Sequence, residues 1–171
     1  MSRMMRKLGL WWRWALVIMW MAVIFFFSHQ VGEDSGGLSD SIVNWLYSLG
    51  IHISSETLSF LVRKAAHMSE YAVLAILLFV ALRGSHGQRL IEPRNSQEPR
   101  ESHRLEKRAE DRGYQALISA FVISVIYAAT DEFHQLFIPG RTGTPKDVLI
   151  DSAGAAICLA LAWLVSRRRP H

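Results

Sequence analysis

Four apolar segments, each near the length needed to cross a bilayer, constrain the fold of this chain more than any other feature. They occupy residues 11–27, 65–82, 114–133 and 148–165. A membrane-spanning helix needs about 17–25 predominantly apolar residues. Half of the 171 residues are hydrophobic and six are tryptophan, which is not typical of a soluble domain. The sequence therefore predicts an all-α, integral membrane four-helix bundle that forms a single domain over residues 1–171.

The basic residues predict how this bundle is oriented. Lysine and arginine close to the spans tend to stay in the cytoplasm. They cluster before the first span, between the second and third spans, and at the end of the chain. Residues 28–62, by contrast, contain acidic residues but no lysine or arginine. We therefore expect a multi-pass protein of the cell membrane with both termini in the cytoplasm.

A short amphipathic helix is predicted in the first outer segment. Apolar side chains recur there at helical spacing, between a possible start at Ser39 and a possible end at Gly50. These side chains are Leu38, Ile42, Trp45, Leu46 and Leu49. Because one face is apolar, we expect the helix at the outer membrane interface.

The cytoplasmic segment 84–113 is predicted to be a solvated, partly disordered loop. Basic and acidic residues are interleaved there, and Pro93 and Pro99 interrupt it. The helix that precedes it is expected to begin at Ser54 or Ser55 and to end near Gly84. A basic segment can indicate nucleic-acid binding, but the interleaved acids and the membrane anchor argue against a nucleic-acid partner.

The first of two charged blocks lies at the start of the second span. Residues three and four apart share a helix face, which predicts one polar stripe. The stripe consists of Arg63, His67, Glu70, Tyr71 and Leu74. Lys64 is expected to point elsewhere. Glu70 lies about 10 Å beyond Arg63 along the helix at 1.5 Å per residue. An ionisable group at membrane depth is a functional-site candidate, although an interhelical hydrogen-bond clamp would also explain it.

The second charged block closes the third span. One face of the predicted helix carries Tyr127, Asp131, His134 and Gln135. The three-residue spacing also predicts a pair between Glu132 and Gln135. As in the first block, the residues fit either a functional site or a structural clamp.

The fourth helix is predicted to begin directly after this block. Thr144 is the expected N-cap, with Pro145 at the first helical position. Asp147 would complete a capping box with Thr144, which is a sufficient structural reason for that aspartate. Asp151 lies one turn deeper and capping does not explain it, so it joins the candidate site. Gly154 follows on the same side and predicts close helix packing.

Together the two blocks resemble the pattern of the VanZ-like family of small membrane proteins. The first motif is Arg63-Lys64-x-x-His67-x-x-Glu70-Tyr71-x-x-Leu74. The second is Asp131-Glu132-x-x-Gln135-x-Phe137-x-Pro139-Gly140-Arg141, followed by Asp147, Asp151 and Gly154. Phe26-Phe27-Ser28-x-Gln30, after the first span, is also similar to the family's pattern. The chain departs from that pattern at Asp151, where many members carry Asn, and in its long charged cytoplasmic segment.

The resemblance implies a bacterial cell-envelope protein. The namesake of the family is associated with resistance to teicoplanin-type glycopeptide antibiotics, so antibiotic tolerance is an expected role. The resemblance implies no settled mechanism and carries over no catalytic residue. Roles for individual residues therefore come from the chemistry of their side chains.

Three functions fit these side chains. The first is binding of an anionic lipid, a lipid-linked wall precursor or a glycopeptide-type amphiphile at the outer leaflet, because arginine and lysine bind phosphate and carboxylate groups. Its candidate ligand-binding residues are Arg63, Lys64, Tyr71, Gln135, Arg141, Asp147 and Asp151. The second is acid–base catalysis on a lipid-linked substrate. Its candidate catalytic residues are His67, Glu70, Asp131 and Glu132. The third is a small proton-linked carrier or partner subunit, which with four spans would need oligomerisation.

Neither a metal nor another cofactor is expected. A site formed by His67, Glu70, Asp131 and His134 would have ligand types that suit zinc or manganese, but the spacing matches no standard motif. The chain lacks a Gly-x-Ser-x-Gly elbow and a His-Glu-x-x-His motif. Cys158 is the only cysteine, which excludes an intramolecular disulfide and a cysteine-based metal cluster. The expected partners are the lipid bilayer and a ligand of the kinds named above.

Overall fold

The computed structural model describes residues 3–29, 36–50, 53–87 and 99–167, and these residues are helical apart from turns and short connections. Five helices lie within them. They are α1 (Arg3–Ser28), α2 (Gly36–Ser48), α3 (Ser55–Gly87), α4 (Pro99–Gln135) and α5 (Pro145–Arg167).

Four of these helices are long and apolar enough to cross a membrane. Their candidate spans are Gly9–Ser28, Ser55–Ser85, His103–Gln135 and Pro145–Ser166. The four predicted spans are confirmed, with wider bounds because each helix continues beyond its apolar stretch into polar flanks. The orientation of the bundle across the membrane stays a prediction.

Contacts between helix ends show how the long helices run. Ser28, at the end of α1, contacts Asp131 near the end of α4. Lys64, near the start of α3, contacts Asp147 near the start of α5. The helices therefore alternate in direction along the chain. We call the end where α1 and α4 finish and α3 and α5 begin the polar end, and the opposite end the basic end.

Helix α3 lies at the centre of the bundle and packs against each of the other four helices. Helices α4 and α5 also pack against each other, and α1 lies against α3 and α4. Large buried side chains of α3, such as Leu74 and Leu78, meet small ones on its neighbours, such as Ala120 and Ala155. Small residues let helix backbones approach closely, which is the main source of helix association in a lipid environment.

Helix α2 covers the segment where an amphipathic helix was predicted; it packs on α3 and begins at Gly36, before the expected start at Ser39. Its amphipathic character and its place at the membrane interface stay predictions. It ends before Gly50, whose φ of 86° is left-handed and suits a glycine after a helix. Of its described side chains, Val43 is buried, while Ile42 and Trp45 are exposed. The side chain of Leu38 lies outside the described residues. Part of the predicted apolar face is thus directed away from the protein.

The prediction of a loop over residues 84–113 is wrong for most of that segment. Helix α3 continues to Gly87 and α4 begins at Pro99, while residues 88–98 lie outside the described part. Proline is favoured at the first position of a helix, and the glutamate, lysine and arginine residues that follow are good helix formers. Charge composition alone therefore did not distinguish a solvated loop from a solvated helix.

Candidate functional site

The residues predicted to form a site lie together at the polar end. They come from the start of α3, the last turn of α4, the connection 136–144 and the first turns of α5. The alternating helix directions bring these segments to one end although they are distant in sequence. The end of α1 lies beside them through Ser28.

Asp131 is bonded on two sides and is 5% exposed. The Ser28 hydroxyl donates to Asp131 Oδ2 at 2.7 Å. The Gln135 amide donates to the same oxygen at 3.1 Å and approaches the Ser28 hydroxyl at 3.4 Å. This triangle joins α1 to α4, so Asp131 has the contacts expected of an interhelical clamp.

Glu132 connects the end of α4 to the start of α5. Its Oε2 accepts the backbone N–H of Thr144 at 2.9 Å. The predicted pair with Gln135 does not form, because the Gln135 amide donates to Asp131 instead. Glu132 and Gln135 do share a helix face. Asp131, one full turn before Gln135, also lies on that side of the helix and is the acceptor that the Gln135 amide uses.

The predicted capping box at α5 is half correct. The Thr144 hydroxyl accepts the backbone N–H of Asp147 at 3.3 Å, as an N-cap does. The reciprocal bond would run from the Thr144 N–H to the Asp147 side chain, and Glu132 takes that position. The Asp147 carboxylate forms an ion pair with Lys64 instead.

Lys64 lies within the site, so the expectation that it points away from it is wrong. Its ammonium pairs with Asp147, and both side chains are about three-quarters buried or more, with 24% and 17% exposure. Lys64 is three residues before His67, so the two side chains lie on the same side of the helix. The ion pair joins the start of α3 to the start of α5.

His67 and Glu70 face each other without forming a hydrogen bond. His67 Nδ1 and Glu70 Oε2 are 3.6 Å apart. Both atoms are buried, and neither has a hydrogen-bond partner among the described residues. The backbone of Glu70 is fixed by the Trp20 indole, which donates to its carbonyl at 2.9 Å. The backbone of Glu70 is therefore held from α1, while the facing atoms of the pair are buried without a hydrogen-bond partner among the described residues.

Tyr71 is fully buried directly behind this pair. Its hydroxyl interacts electrostatically with the carboxyls of Asp131 and Asp151. No hydrogen bond of good geometry reaches it within the described part of the chain. Tyr71 is thus close enough to a carboxyl of α4 and to a carboxyl of α5 to interact with both.

Asp151 is the deepest acidic residue of the site and is 1% exposed. Among the described residues its Oδ2 has no hydrogen-bond partner. One turn further along α5, a side chain at Gly154 would overlap the side chain and backbone of Met68. The close contact of α3 and α5 at this glycine holds Asp151 against the wall formed by α3.

Arg141 reaches the site from the connection between α4 and α5. One of its guanidinium nitrogens donates to the carbonyl of Phe27 at 2.9 Å. The chain turns just before it at Gly140, whose φ of 75° favours glycine. The turn places a half-buried guanidinium next to the end of α1.

The charges around Arg141 are both acidic and basic. Burial lowers the pKa of its guanidinium from the ordinary value, the nearby acids oppose that effect, and Arg63 adds to it. The acids, in decreasing order of influence, are Asp131, Glu70 and Glu132. Arginine remains protonated at any physiological pH. The polar end therefore holds one half-buried positive charge close to a second, exposed one on Arg63.

His134 does not join the acidic residues. Its Nε2 lies 3.2 Å from His29 Nδ1, and Phe25 stacks on its ring at a centroid distance of 4.8 Å. In the described ranges, no group of three or more His, Cys, Asp and Glu side chains is arranged to hold a metal ion. The four-residue metal site considered from the sequence therefore does not assemble there.

Comparison with protein families gives a match over nearly the whole chain. The model of the VanZ/LLP1 family matches residues 13–166, which include every candidate site residue. The chain belongs to the VanZ/LLP1 family. The predicted resemblance is thus confirmed, and with four apolar helices the chain is a VanZ-like membrane protein. Comparison with curated proteins and with solved structures gave no match.

The contributors to this VanZ/LLP1 site that were missing from the predicted residues include Ser28 and the backbone N–H of Thr144, besides the Trp20 indole and the Phe27 carbonyl described above. Ser28 is fully buried and donates to Asp131, and the backbone N–H of Thr144 donates to Glu132. The motif Phe26-Phe27-Ser28-x-Gln30 contained a signal for the first, since a serine at the end of an apolar run needs a hydrogen-bond partner. The second is a backbone group, which residue types do not reveal.

Proposed function

We propose that the polar end binds the anionic head group of an amphiphile at the outer leaflet of the cell membrane. A lipid, a lipid-linked wall precursor and a glycopeptide-type antibiotic all have this character. The observation that carries the proposal is the half-buried guanidinium of Arg141, which its bond to the Phe27 carbonyl holds at the polar end, with the like charge of Arg63 near enough to oppose its own. A phosphate or carboxylate placed between them would relieve that repulsion and accept paired N–H bonds.

The distribution of basic residues supports an outward-facing polar end. Arg83 and the charged start of α4 lie at the basic end, which the positive-inside tendency assigns to the cytoplasm. Labelling with a membrane-impermeant thiol reagent tests this in a Cys158→Ala background. Ser54→Cys should be labelled from outside and Glu106→Cys should not. The reverse pattern would reject the outer-leaflet site.

Helix α2 supports an amphiphile rather than a small soluble ligand. Ile42 and Trp45 on α2 are 41% and 60% exposed, and Leu49, directly after the helix, is 59% exposed. Exposed apolar side chains on a short helix beside a membrane end are typical of an interfacial helix. Such a helix would lie where the head group and the acyl chains of a bound amphiphile meet.

A substitution of Arg141 tests the proposed function. Arg141→Lys keeps the charge but removes the planar pair of N–H donors. The purified variant should bind phosphatidylglycerol about tenfold more weakly, and cells that depend on the protein for antibiotic tolerance should lose it. Arg83→Lys, an exposed arginine at the basic end, is the matched control. Equal binding by both variants would reject the guanidinium site.

Acid–base catalysis is a second candidate, favoured by the 3.6 Å approach of His67 and Glu70. A histidine and a carboxyl at this separation are able to act as an acid–base pair towards a substrate group that comes within hydrogen-bond reach of either side chain. The purified protein would then convert a lipid-linked precursor over many turnovers, and His67→Gln and Glu70→Gln would abolish conversion. Stoichiometric binding without product would leave the binding function alone.

A further inference from the structure

We propose that the head group bound at the polar end also carries a primary ammonium, and that Glu70 is its acceptor. The inference rests on the proposed function and names the second charged group of its ligand. It predicts a zwitterionic head group, with an anion at Arg141 and Arg63 and an ammonium beside the His67–Glu70 pair.

The balance of charge at the polar end favours a cationic group in the ligand. Acidic side chains there outnumber basic ones. Among the described side chains, the acids are Glu56, Glu70, Asp131, Glu132, Asp147 and Asp151, and the basic residues are Lys64 and Arg141, which are half-buried, and Arg63 and Lys146, which are exposed. Lys64 is already paired with Asp147, and Arg141 donates to the Phe27 carbonyl. Arg141 and Arg63 would offset the anionic group of the ligand, and an ammonium in the same ligand would offset negative charge that remains on the acids.

The hydrogen-bond state of the acids indicates where the ammonium binds. Asp131 and Glu132 accept bonds from protein groups. Glu70 Oε2 is buried and accepts none within the described ranges. Oε2 itself is buried, but the Glu70 side chain as a whole retains 19% exposure, whereas Asp151, the other described acid with an unpartnered buried oxygen, is 1% exposed.

Deeper groups extend the negative region behind Glu70. Asp151 is 1% exposed, and its Oδ2 has no hydrogen-bond partner in the described part of the chain. The hydroxyl of the fully buried Tyr71 interacts electrostatically with both Asp151 and Asp131. Burying such polar atoms without partners lowers the stability of the fold. A ligand that forms hydrogen bonds with them would offset this loss.

An ammonium fits these groups better than a neutral donor or a quaternary amine. It supplies three N–H donors and a positive charge together, and charge-assisted hydrogen bonds are about twice as strong as neutral ones. Arg141 and Glu70 interact electrostatically, so their ligand groups would be neighbours. A head group in which phosphate and amine are a few bonds apart meets both conditions.

The test varies the ligand first, so that it does not depend on a variant folding. The delipidated full chain in detergent is titrated with phosphatidylethanolamine, its N-methyl, N,N-dimethyl and trimethyl analogues, and phosphatidylglycerol, and bound lipid is counted by native mass spectrometry. Affinity should fall at each methylation, to about a tenth for the trimethyl lipid. Phosphatidylglycerol should bind at a similarly reduced affinity. Soluble O-phosphoethanolamine in a parallel titration distinguishes a free amine from a lipid.

Substitutions then locate the acceptor. Glu70→Gln keeps an acceptor oxygen and removes the charge, and it should abolish the preference for the primary amine while leaving phosphatidylglycerol binding intact. Asp151→Asn should reduce the preference by a smaller factor. Glu56→Gln is the matched control, because Glu56 is an exposed acid at the same end of α3. It should behave as the unmodified chain.

The possible results separate this inference from the proposed function. Equal affinity for the ethanolamine and trimethyl lipids, or tighter binding of phosphatidylglycerol, would overturn the ammonium and leave the anionic site intact. An unchanged preference in Glu70→Gln would overturn Glu70 as acceptor. Binding of no phospholipid and of no phosphoethanolamine would overturn both. Binding of soluble phosphoethanolamine alone would support the ammonium and reject an amphiphile as its source.

Discussion

The polar end contains two groups of buried acids that differ in their hydrogen bonds. One group lies at the tip of α4, and the other lies on α3 and α5, which we call the walls. Asp131 and Glu132, at the tip of α4, accept hydrogen bonds from α1 and from the start of α5. Glu70 on α3 and Asp151 on α5 each keep a buried oxygen without a hydrogen-bond partner among the described residues. The carboxyls at the tip of α4 join helices, whereas those on α3 and α5 each keep an oxygen that no described protein group bonds.

This difference separates two reasons for an acid at membrane depth. A carboxyl that accepts hydrogen bonds from two helices contributes to the stability of the bundle. A buried carboxyl without such bonds lowers stability and is retained for another reason, most simply a ligand. Removing a carboxyl of the first kind should lower the stability of the bundle, whereas removing one of the second kind should not. Substitutions therefore distinguish the two groups.

Asp131→Ala should have the largest effect on stability. It removes the acceptor of both the Ser28 and Gln135 bonds and leaves two buried polar groups without that partner. We expect the free energy of unfolding in detergent to fall by about 2–3 kcal/mol, measured by circular dichroism during denaturation. Asp131→Asn keeps an acceptor oxygen and should lose less. A stable Asp131→Ala variant would show that the α4 tip is not a clamp.

Glu132→Ala should have a smaller destabilising effect. It leaves the Thr144 N–H at the start of α5 without its acceptor, and losing such a cap costs about 1 kcal/mol. The change is measured by the same denaturation. Glu106→Ala, an exposed glutamate elsewhere on α4, serves as control. If both variants lose the same amount, the bond to Thr144 contributes nothing specific.

Asp151→Asn should leave stability unchanged or raise it by up to about 1 kcal/mol, because it removes a buried charge. The melting temperature in detergent is the measurement. A clear loss, comparable to that of Asp131→Ala, would place Asp151 with the structural acids and remove the contrast between the α4 tip and the walls.

The Lys64–Asp147 ion pair should have the smallest effect. It joins α3 to α5, but part of each side chain is exposed, and such pairs contribute about 0.5 kcal/mol. A double-mutant cycle with Lys64→Met and Asp147→Asn measures the coupling energy. A coupling of several kcal/mol would mean that the ion pair, rather than the α4 tip, holds the polar end together.

The sequence predicted local features of this fold better than contacts between distant residues. Hydropathy located the four spans, and helical spacing located the His67–Glu70 pair. Spacing did not place Lys64, because this residue lies between two possible faces and its partner is on another helix. The bond from Ser28 to Asp131 joins residues separated by 103 positions. The Thr144 N–H likewise bonds to Glu132 rather than to Asp147, because Glu132 comes from a different helix, α4, and local spacing does not reveal such a partner.

The charged segment was mispredicted for a different reason. A polar sequence with both signs of charge fits a solvated helix and a solvated loop equally well. Helix propensity and the start signal at Pro99 distinguish the helix from the loop. The prediction gave more weight to the charge pattern than to these two signals.

The bond from the Trp20 indole to the Glu70 carbonyl at 2.9 Å makes one tryptophan an optical probe of the site. Indole emission shifts with the polarity and hydrogen bonding of its surroundings. In a chain whose other tryptophans are replaced by phenylalanine, Trp20 would fluoresce alone. Its emission would then follow the movement of α3 against α1 in real time, in an intact bilayer and without an attached dye.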